Sequence, residues 1–376
     1  MPLPNSFAGF LGNRHVVDNL RAAIAVGRLP HSLVIAGARG SGKYTLALLL
    51  TLALECERQP REVSPDGREL AGFCGQCRNC ARIMESADLD SRIDEAVAAR
   101  EEMRDTDKKD TRVLVQTHPD VLVIPPDPPQ LLIKLGQIRT VIGRAQYLPT
   151  EAPAKAFIIT SSAFMKEAAN SLLKLLEEPP PYVHLMLLTE NPGELLPTIR
   201  SRCAFARLGA LPPEEITELI AASRSDLSRT DRELVARLSE GAAGRALSFD
   251  LREYTAARSD ALTILANIER TNDHSALFRM SETYRAGAEG QARTSALLRA
   301  LSSLLEDLLL LQSGAPDRIR NIDRRPDLDR LAQTVSFAWI DSAMRAVDNA
   351  YSGMRRNLLR SLSLDALALD LETVRE

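Results

Sequence analysis

The segment HSLVIAGARGSGKYT, beginning at His31, constrains the fold more than any other part of the chain. A short apolar run ends at Ala36. A turn carrying Gly37, Gly40 and Gly42 follows, and a long apolar stretch begins just after Lys43. Strand, glycine-rich loop and helix in that order make a phosphate-binding unit. The glycines let backbone N–H groups converge on phosphate oxygens, and the next helix turns its positive end toward them. Lys43 would reach the β and γ phosphates of a nucleotide. The bland alternative is an ordinary strand–helix turn, and the strand before and helix after weigh against it.

Two parts needed for hydrolysis are missing. The residue after the lysine should be Ser or Thr, whose hydroxyl binds Mg²⁺. Here it is Tyr44, whose long, rigid phenol places its oxygen too far out. Thr45 stands roughly 100° further round the helix and does not replace it. A hydrolysing enzyme also carries an Asp and usually a Glu at the end of a later strand, for the metal and for water. The candidate strand, KAFIITSSAF, ends in Thr160, Ser161 and Ser162, none of them acidic. The expectation is a phosphate loop without hydrolysis.

Around this unit, the runs Leu33–Ala36, Val121–Ile124, Phe157–Thr160 and Val183–Thr189 read as buried parallel strands separated by helices. Residues 1–208 therefore read as an α/β domain with a parallel sheet. Residues 57–73, with Pro60, Pro65, Gly67 and Gly72, read as a loop, and the charged stretch 88–112 as a solvated helix and linker. Neither acquires a role from its sequence. Beyond Leu208 only helices are expected. One begins at Pro212-Pro213, one spans about Asp231 to Glu240, and a short one opens at GAAGRAL. Amphipathic stretches follow at Leu297–Leu311, Asp329–Asn349 and Arg355–Leu371.

A length of 376 residues suits two or three domains. A net charge of -3 argues against a protein that grips DNA alone through a wholly basic surface. With aromatics at 4 %, a stacking platform for single strands is also disfavoured. The longest apolar run, Leu46 to Leu54, is far short of a membrane span of about 20 residues, and the start MPLPNSF lacks a signal pattern. The expectation is a soluble, cytoplasmic protein with no membrane partner.

Three of the five cysteines form CGQCRNC: Cys74, Cys77 and Cys80. Cys56 closes the helix after the phosphate loop. Four sulfurs suffice for tetrahedral Zn²⁺, and two-residue spacings let a tight turn aim several at one ion. Structural zinc is the favoured reading; an iron–sulfur cluster or free thiols are the alternatives. Cys203, in SRC, reads as an ordinary semi-buried thiol, and His118, before Pro119, as structural.

Taken with these features, several stretches carry a family resemblance: residues 7–43, THPDVLVI from Thr117, AANSLLKLLEEPP at 168–180, and LLPTIRSRC at 195–203. The chain resembles the delta prime family of bacterial DNA polymerase III clamp-loader subunits, within the AAA+ class. The resemblance covers about residues 7–250 by motif. It implies an AAA+ phosphate-loop domain over 1–208 with an inserted zinc module at about 56–80, a small helical lid over 209–250, and an all-helical collar over 251–376. It also implies a stator that does not hydrolyse ATP. The nucleotide residues would be Gly37, Gly40, Gly42, Lys43 and Tyr44, in degenerate form, so that bound ATP stays an open question. Arg245, after Gly244, resembles the sensor-2 position. Arg202 would be an arginine finger that reaches a neighbouring ATPase subunit.

The implied partners are the gamma/tau motor subunits, delta, the sliding clamp and primed DNA, within the DNA polymerase III holoenzyme. The alternative is an active gamma/tau-like motor subunit, which shares the zinc module, LLKxLEEPP and SRC but has an intact loop and an acidic second motif. Bland readings stand beside these. Leu172, Leu173, Leu175 and Leu176 fit a helix core, Glu177 and Glu178 could merely end a helix before three prolines, and Arg202 could be a surface arginine.

Overall fold

The computed structural model describes residues 3–104, 112–267 and 287–354. The helix expected at Arg355–Leu371 and part of the 88–112 stretch lie outside them. The chain divides into two compact units: Met1–Pro212 with Gly241–Leu247, and Pro213–Glu240 with Ser248–Glu376.

The first unit is built on a six-stranded sheet. Its strands are β1 (Ser32–Ala36), β4 (Val115–His118), β5 (Val121–Ile124), β6 (Lys155–Ile159), β7 (Val183–Thr189) and β8 (Ala204–Arg207), in the order β4-β5-β6-β7-β1-β8. Five strands run parallel, and β4 is an antiparallel edge strand paired to β5. The four expected strands are all present, and β4 and β8 are additions. Both carry polar residues at an edge, so they lack the continuous apolar run that marks a strand buried on both faces.

Successive residues of the central strands face opposite sides. Leu33, Ile35, Val123, Ile158 and Met186 pack with α1 (Arg14–Ala25) and α2 (Lys43–Glu55). Val34, Ile124, Phe157 and Leu187 pack on the other side with α5 (Leu135–Ala145) and α6 (Lys166–Glu177). Helix α2 is buried on nearly every side from Leu46 to Ala53, which accounts for a sequence there that is apolar except for Thr51, whose hydroxyl donates to the Ala47 carbonyl. In α6, Leu172, Leu175 and Leu176 are core residues.

Residues 57–73 are not a plain loop. They contain a hairpin of β2 (Arg61–Val63) and β3 (Glu69–Ala71), with Val63 opposite Glu69. Gly67 turns it in the left-handed region, φ +83°. Three-residue strands are too short to show alternation, and Pro60, Pro65, Gly67 and Gly72 are the stronger signal in the sequence. The next helices are α3 (Arg78–Met84) and α4 (Leu89–Glu101). No residue of α4 is fully buried, in keeping with a solvated helix.

His184, in β7, lies in a buried place and stacks on His31 with ring centroids 5.1 Å apart. Burial pushes its imidazole down to about 4, against the opposing pull of the Pro30 carbonyl. A histidine held neutral in the fold gains a proton on unfolding. Its stability contribution is therefore complete above the unfolded value of about 6.5 and is lost as pH falls toward about 4. Urea unfolding of the full chain at about pH 7.5 and about pH 5 is expected to differ by about 2 kcal/mol from this residue. In His184→Phe that part of the difference should vanish; an unchanged pH dependence would assign it elsewhere.

The second unit is helical throughout its described residues. It comprises α8 (Pro213–Ser223), α9 (Arg229–Leu238), α11 (Leu251–Asn267), α12 (Gly287–Gln312), α13 (Arg325–Thr334) and α14 (Phe337–Met354). Leu297, Leu301, Leu304 and Leu308 of α12 form the spine of its core, against Leu265, Leu328 and Ile340. The single helix expected at Asp329–Asn349 is two. Val335 is extended, and the Ser336 hydroxyl accepts the Trp339 N–H at 3.2 Å to start the second.

Candidate phosphate loop, cysteine cluster and arginine

Strand β1 lies between β7 and β8, and the chain reaches its two neighbours by separate crossovers. The carboxyl end of such a strand opens the crevice where parallel sheets take ligands. Gly37 to Gly42 leave β1 there and lead into α2. Gly40 and Gly42 adopt φ of +80° and +88°, values that favour glycine. A Cβ on Gly40 would stand 2.6 Å from the backbone nitrogen of Arg245, and one on Gly42 would stand 3.0 Å from Phe10. The loop carbonyl of Gly40 also accepts the Gly244 N–H at 2.8 Å. Close approach at Gly40 is thus made by the chain itself, through α10 (Ala243–Leu247), which brings Arg245 to the loop.

Lys43 donates from Nζ to the carbonyls of Gly37 at 2.7 Å and Ala38 at 2.8 Å. Burial lowers its pKa, with Glu190 pulling the other way. Within the same loop, the Ser41 hydroxyl oxygen is buried without a hydrogen-bond partner, so the cradle retains unspent polar capacity. Tyr44 is turned away. Its hydroxyl donates to the Ser86 carbonyl at 2.6 Å, and burial pushes its pKa well up. The group standing where a metal-binding hydroxyl belongs is therefore committed to the segment after α3.

At the end of β6, the Ser161 hydroxyl accepts the Ala163 N–H at 3.1 Å, and Ser162 donates to Glu194 at 2.8 Å. The strand itself supplies no acid, but the turn after β7 places a carboxylate beside it. Sequence reading missed Glu190 and Glu194, because only the sheet order brings that turn to the loop.

The four predicted cysteines converge. The sulfurs of Cys56, Cys74, Cys77 and Cys80 all lie within 4.8 Å of one another. Tetrahedral Zn²⁺ at about 2.3 Å from each sulfur would set them about 3.8 Å apart, so a small contraction suffices. Backbone N–H groups already point at the sulfurs: Cys74 to Cys56 at 3.3 Å, Cys77 to Cys74 at 3.2 Å, and Cys80 to Cys77 at 3.5 Å. Burial raises the Cys74 thiol, yet N–H donation from Gln76 and Cys77, together with the neighbouring Cys56 and Cys77 side chains, outweighs it and brings the group down to about 6. Cys80, more deeply set, is pushed up by burial. Cys203 is apart from the cluster and half-buried. His118 is buried and bonded to Asn79 at 3.1 Å.

Arg202 follows α7 (Pro197–Arg200). Its Nε and Nη2 lie 2.7 and 2.5 Å from Glu177 Oε1, and its Nη1 donates to the Thr198 carbonyl at 2.8 Å and the Ser201 hydroxyl at 3.2 Å. Glu177, the last residue of α6, joins the two most distinctive sequence stretches, a pairing that no spacing rule reveals.

Comparison with known proteins finds similarity to subunits of DNA polymerase III. The chain is 27 % identical over 307 residues to the DNA polymerase III subunit delta' of Escherichia coli, covering 81 % of this chain and 77 % of that protein. It is 29 % identical over 250 residues to the E. coli subunit tau, covering 65 % of this chain. The subunit gamma/tau of Mycobacterium bovis is 30 % identical over 219 residues, covering 58 % of this chain. The chain spans only 32 % and 31 % of those two longer proteins. A gamma subunit-related protein of Thermotoga maritima aligns in structure at 18 % identity and TM-score 0.42, covering 96 % of this chain and all of that one. The DNA polymerase III delta subunit model matches residues 12–212, and its C-terminal companion matches 253–373. With more than half of its length so matched, the chain belongs to the DNA polymerase III delta subunit family.

Proposed function

We propose that this chain is a delta-prime-like, non-hydrolysing AAA+ subunit of the DNA polymerase III clamp loader. It would act in the cytoplasm as a fixed member of a ring with gamma/tau motor subunits and delta, helping the ring open the sliding clamp and place it on primed DNA. Residues 1–208 would be the AAA+ domain, 209–250 its lid and 251–376 the collar. Arg202 would serve the ATP of the neighbouring subunit. One observation carries the reading: the Tyr44 hydroxyl, at the metal-binding position, is spent on the Ser86 carbonyl. The fuller coverage of the delta' relative supports it.

Two groups fit these residues. Cys56, Cys74, Cys77 and Cys80 would hold structural Zn²⁺, which secures the fold of its module. Gly37, Gly40, Gly42 and Lys43 suit nucleotide phosphates, with the unpartnered Ser41 oxygen in the same loop. A second reading, the gamma/tau-like motor, is favoured by the identity to tau and gamma/tau relatives and by Glu194, which reaches Ser162 at the end of β6.

Purified alone, the chain is expected to show no ATP turnover above background, whether or not it retains nucleotide. If it binds ATP, Lys43→Ala should weaken binding by about tenfold or more, since hydrogen bonds from a charged donor contribute about 1.5–3 kcal/mol. Turnover in the wild type that disappears in Lys43→Ala would replace the stator reading with the motor. Co-purification with the other loader subunits tests the assembly itself.

A further inference from the structure

A guanidinium has five N–H hydrogens and two edges on which a carboxylate or phosphate is taken by paired donors. In Arg202 both edges are engaged. Glu177 Oε1 occupies the edge made by Nε and Nη2, at 2.7 and 2.5 Å. The outer edge needs Nη1, whose hydrogens go to the Thr198 carbonyl and the Ser201 hydroxyl. As the chain stands, Arg202 cannot offer a paired grip to an incoming phosphate without releasing a partner.

Glu177 is the partner best suited to be released. The Thr198 and Ser201 contacts lie within four residues of Arg202, so they travel with it. Glu177 is 25 residues away in sequence and is fixed by another element. It is the last residue of α6, whose continuation is blocked at Pro179, Pro180 and Pro181. The pair is also open to solvent, with 33 % of the Arg202 side chain and 47 % of the Glu177 side chain exposed. Exposed ion pairs are weak and open readily. A γ-phosphate carries more charge than a carboxylate and offers three oxygens to the same fork.

We propose that Glu177 is a latch on Arg202: a positioning residue that neutralises and holds the arginine until the phosphate of a neighbouring subunit's nucleotide displaces it. The inference rests on the reading that Arg202 acts in trans. In the exchange no covalent bond changes; the guanidinium trades a carboxylate oxygen for a phosphate oxygen. The latch would lower the neighbour's hydrolysis in the resting assembly, because part of the phosphate's binding energy goes into opening the pair.

The test uses the reconstituted loader without clamp or DNA. Glu177→Gln keeps the shape but removes the charge, and steady-state ATPase should rise by about two- to fivefold, the factor an exposed ion pair is worth. Adding Arg202→Ala to Glu177→Gln should erase the gain and return the rate to that of Arg202→Ala alone. In the free chain, side-chain NMR of labelled arginine should show slowed exchange of the Arg202 Nε proton, and Glu177→Gln should remove that slowing. If Arg202→Ala lowers the rate while Glu177→Gln leaves it unchanged or lowers it, the latch is overturned and the trans role stands. If Arg202→Ala has no effect, the trans role fails and the latch with it. Equal Nε proton exchange in wild type and Glu177→Gln also overturns the latch.

Discussion

Cys77→Ser is expected to release one equivalent of zinc and to destabilise the first unit by at least about 3 kcal/mol. The size follows from what a structural ion contributes: apparent binding energies of about 10–16 kcal/mol in small zinc domains, all of it realised on folding. Part of the site is preformed here. Cys56, Cys77, Cys80 and Ile83 belong to the same buried cluster as Leu46, Leu49 and Leu50, so losing the ion loosens a module that remains anchored. The choice of serine separates metal from helix capping. Cys77 is the N-cap of α3 and its sulfur accepts the Cys80 N–H; serine is a strong N-cap but a poor ligand for a thiolate-loving ion. Helix α3 should therefore still begin correctly, and the loss should report the ion. For a unit of this size, about 3 kcal/mol corresponds to a fall of about 6–12 °C in Tm. Metal analysis of a fresh, unchelated preparation is the direct check. No zinc in the wild type, or full zinc and an unchanged Tm in Cys77→Ser, would return the four cysteines to plain thiols. Visible absorbance with iron in place of zinc would assign a cluster instead.

The convergence of the four cysteines was legible in sequence because two-residue spacings bring Cys74, Cys77 and Cys80 into one tight local turn, and Cys56 stands at a helix end that the phosphate loop already fixes. The central strands were legible for a similar reason: burial on both faces leaves a largely apolar run, unbroken in Val121–Ile124. What escaped the sequence depends on contacts between distant segments. The hairpin at Arg61–Val63 and Glu69–Ala71 is too short to alternate. The break at Val335 is a choice of backbone conformation inside a stretch whose apolar spacing continues on both sides. Glu194 reaches Ser162 only because β7 and β6 are neighbours in the sheet. Tyr44 could be seen in sequence to be unsuited to metal, but its bond to Ser86 required the fold of the segment after α3. The close approach of Gly244 and Arg245 to Gly40 is likewise a property of the folded unit.

Arg202→Ala should leave the purified chain folded and able to assemble, and should lower clamp- and DNA-stimulated ATP hydrolysis by the whole loader. Phosphoryl transfer spreads negative charge over the γ-phosphate oxygens, and arginine fingers in general accelerate it by about 10³–10⁵. If Arg202 serves one ATP site in a ring with several, that site should fall by that order while the total falls by less. Folding should be spared because Arg202 is partly exposed and its partners are a surface carboxylate and local oxygens; loss of such a pair costs about 1 kcal/mol or less. Arg202→Lys should rescue poorly. Lysine keeps the charge but lacks the planar fork that meets two phosphate oxygens at once. The chain has little internal use for the arginine in hydrolysis, since Tyr44 is committed elsewhere and the end of β6 carries Thr160, Ser161 and Ser162. The measurement is steady-state ATPase of the reconstituted loader with clamp and primed DNA, for wild type, Arg202→Ala and Arg202→Lys, with assembly confirmed for each. Equal rates in all three would leave Arg202 as a surface residue tied to Glu177. A fall in Arg202→Ala that also appears as weakened assembly would make the residue an interface contact in place of a finger.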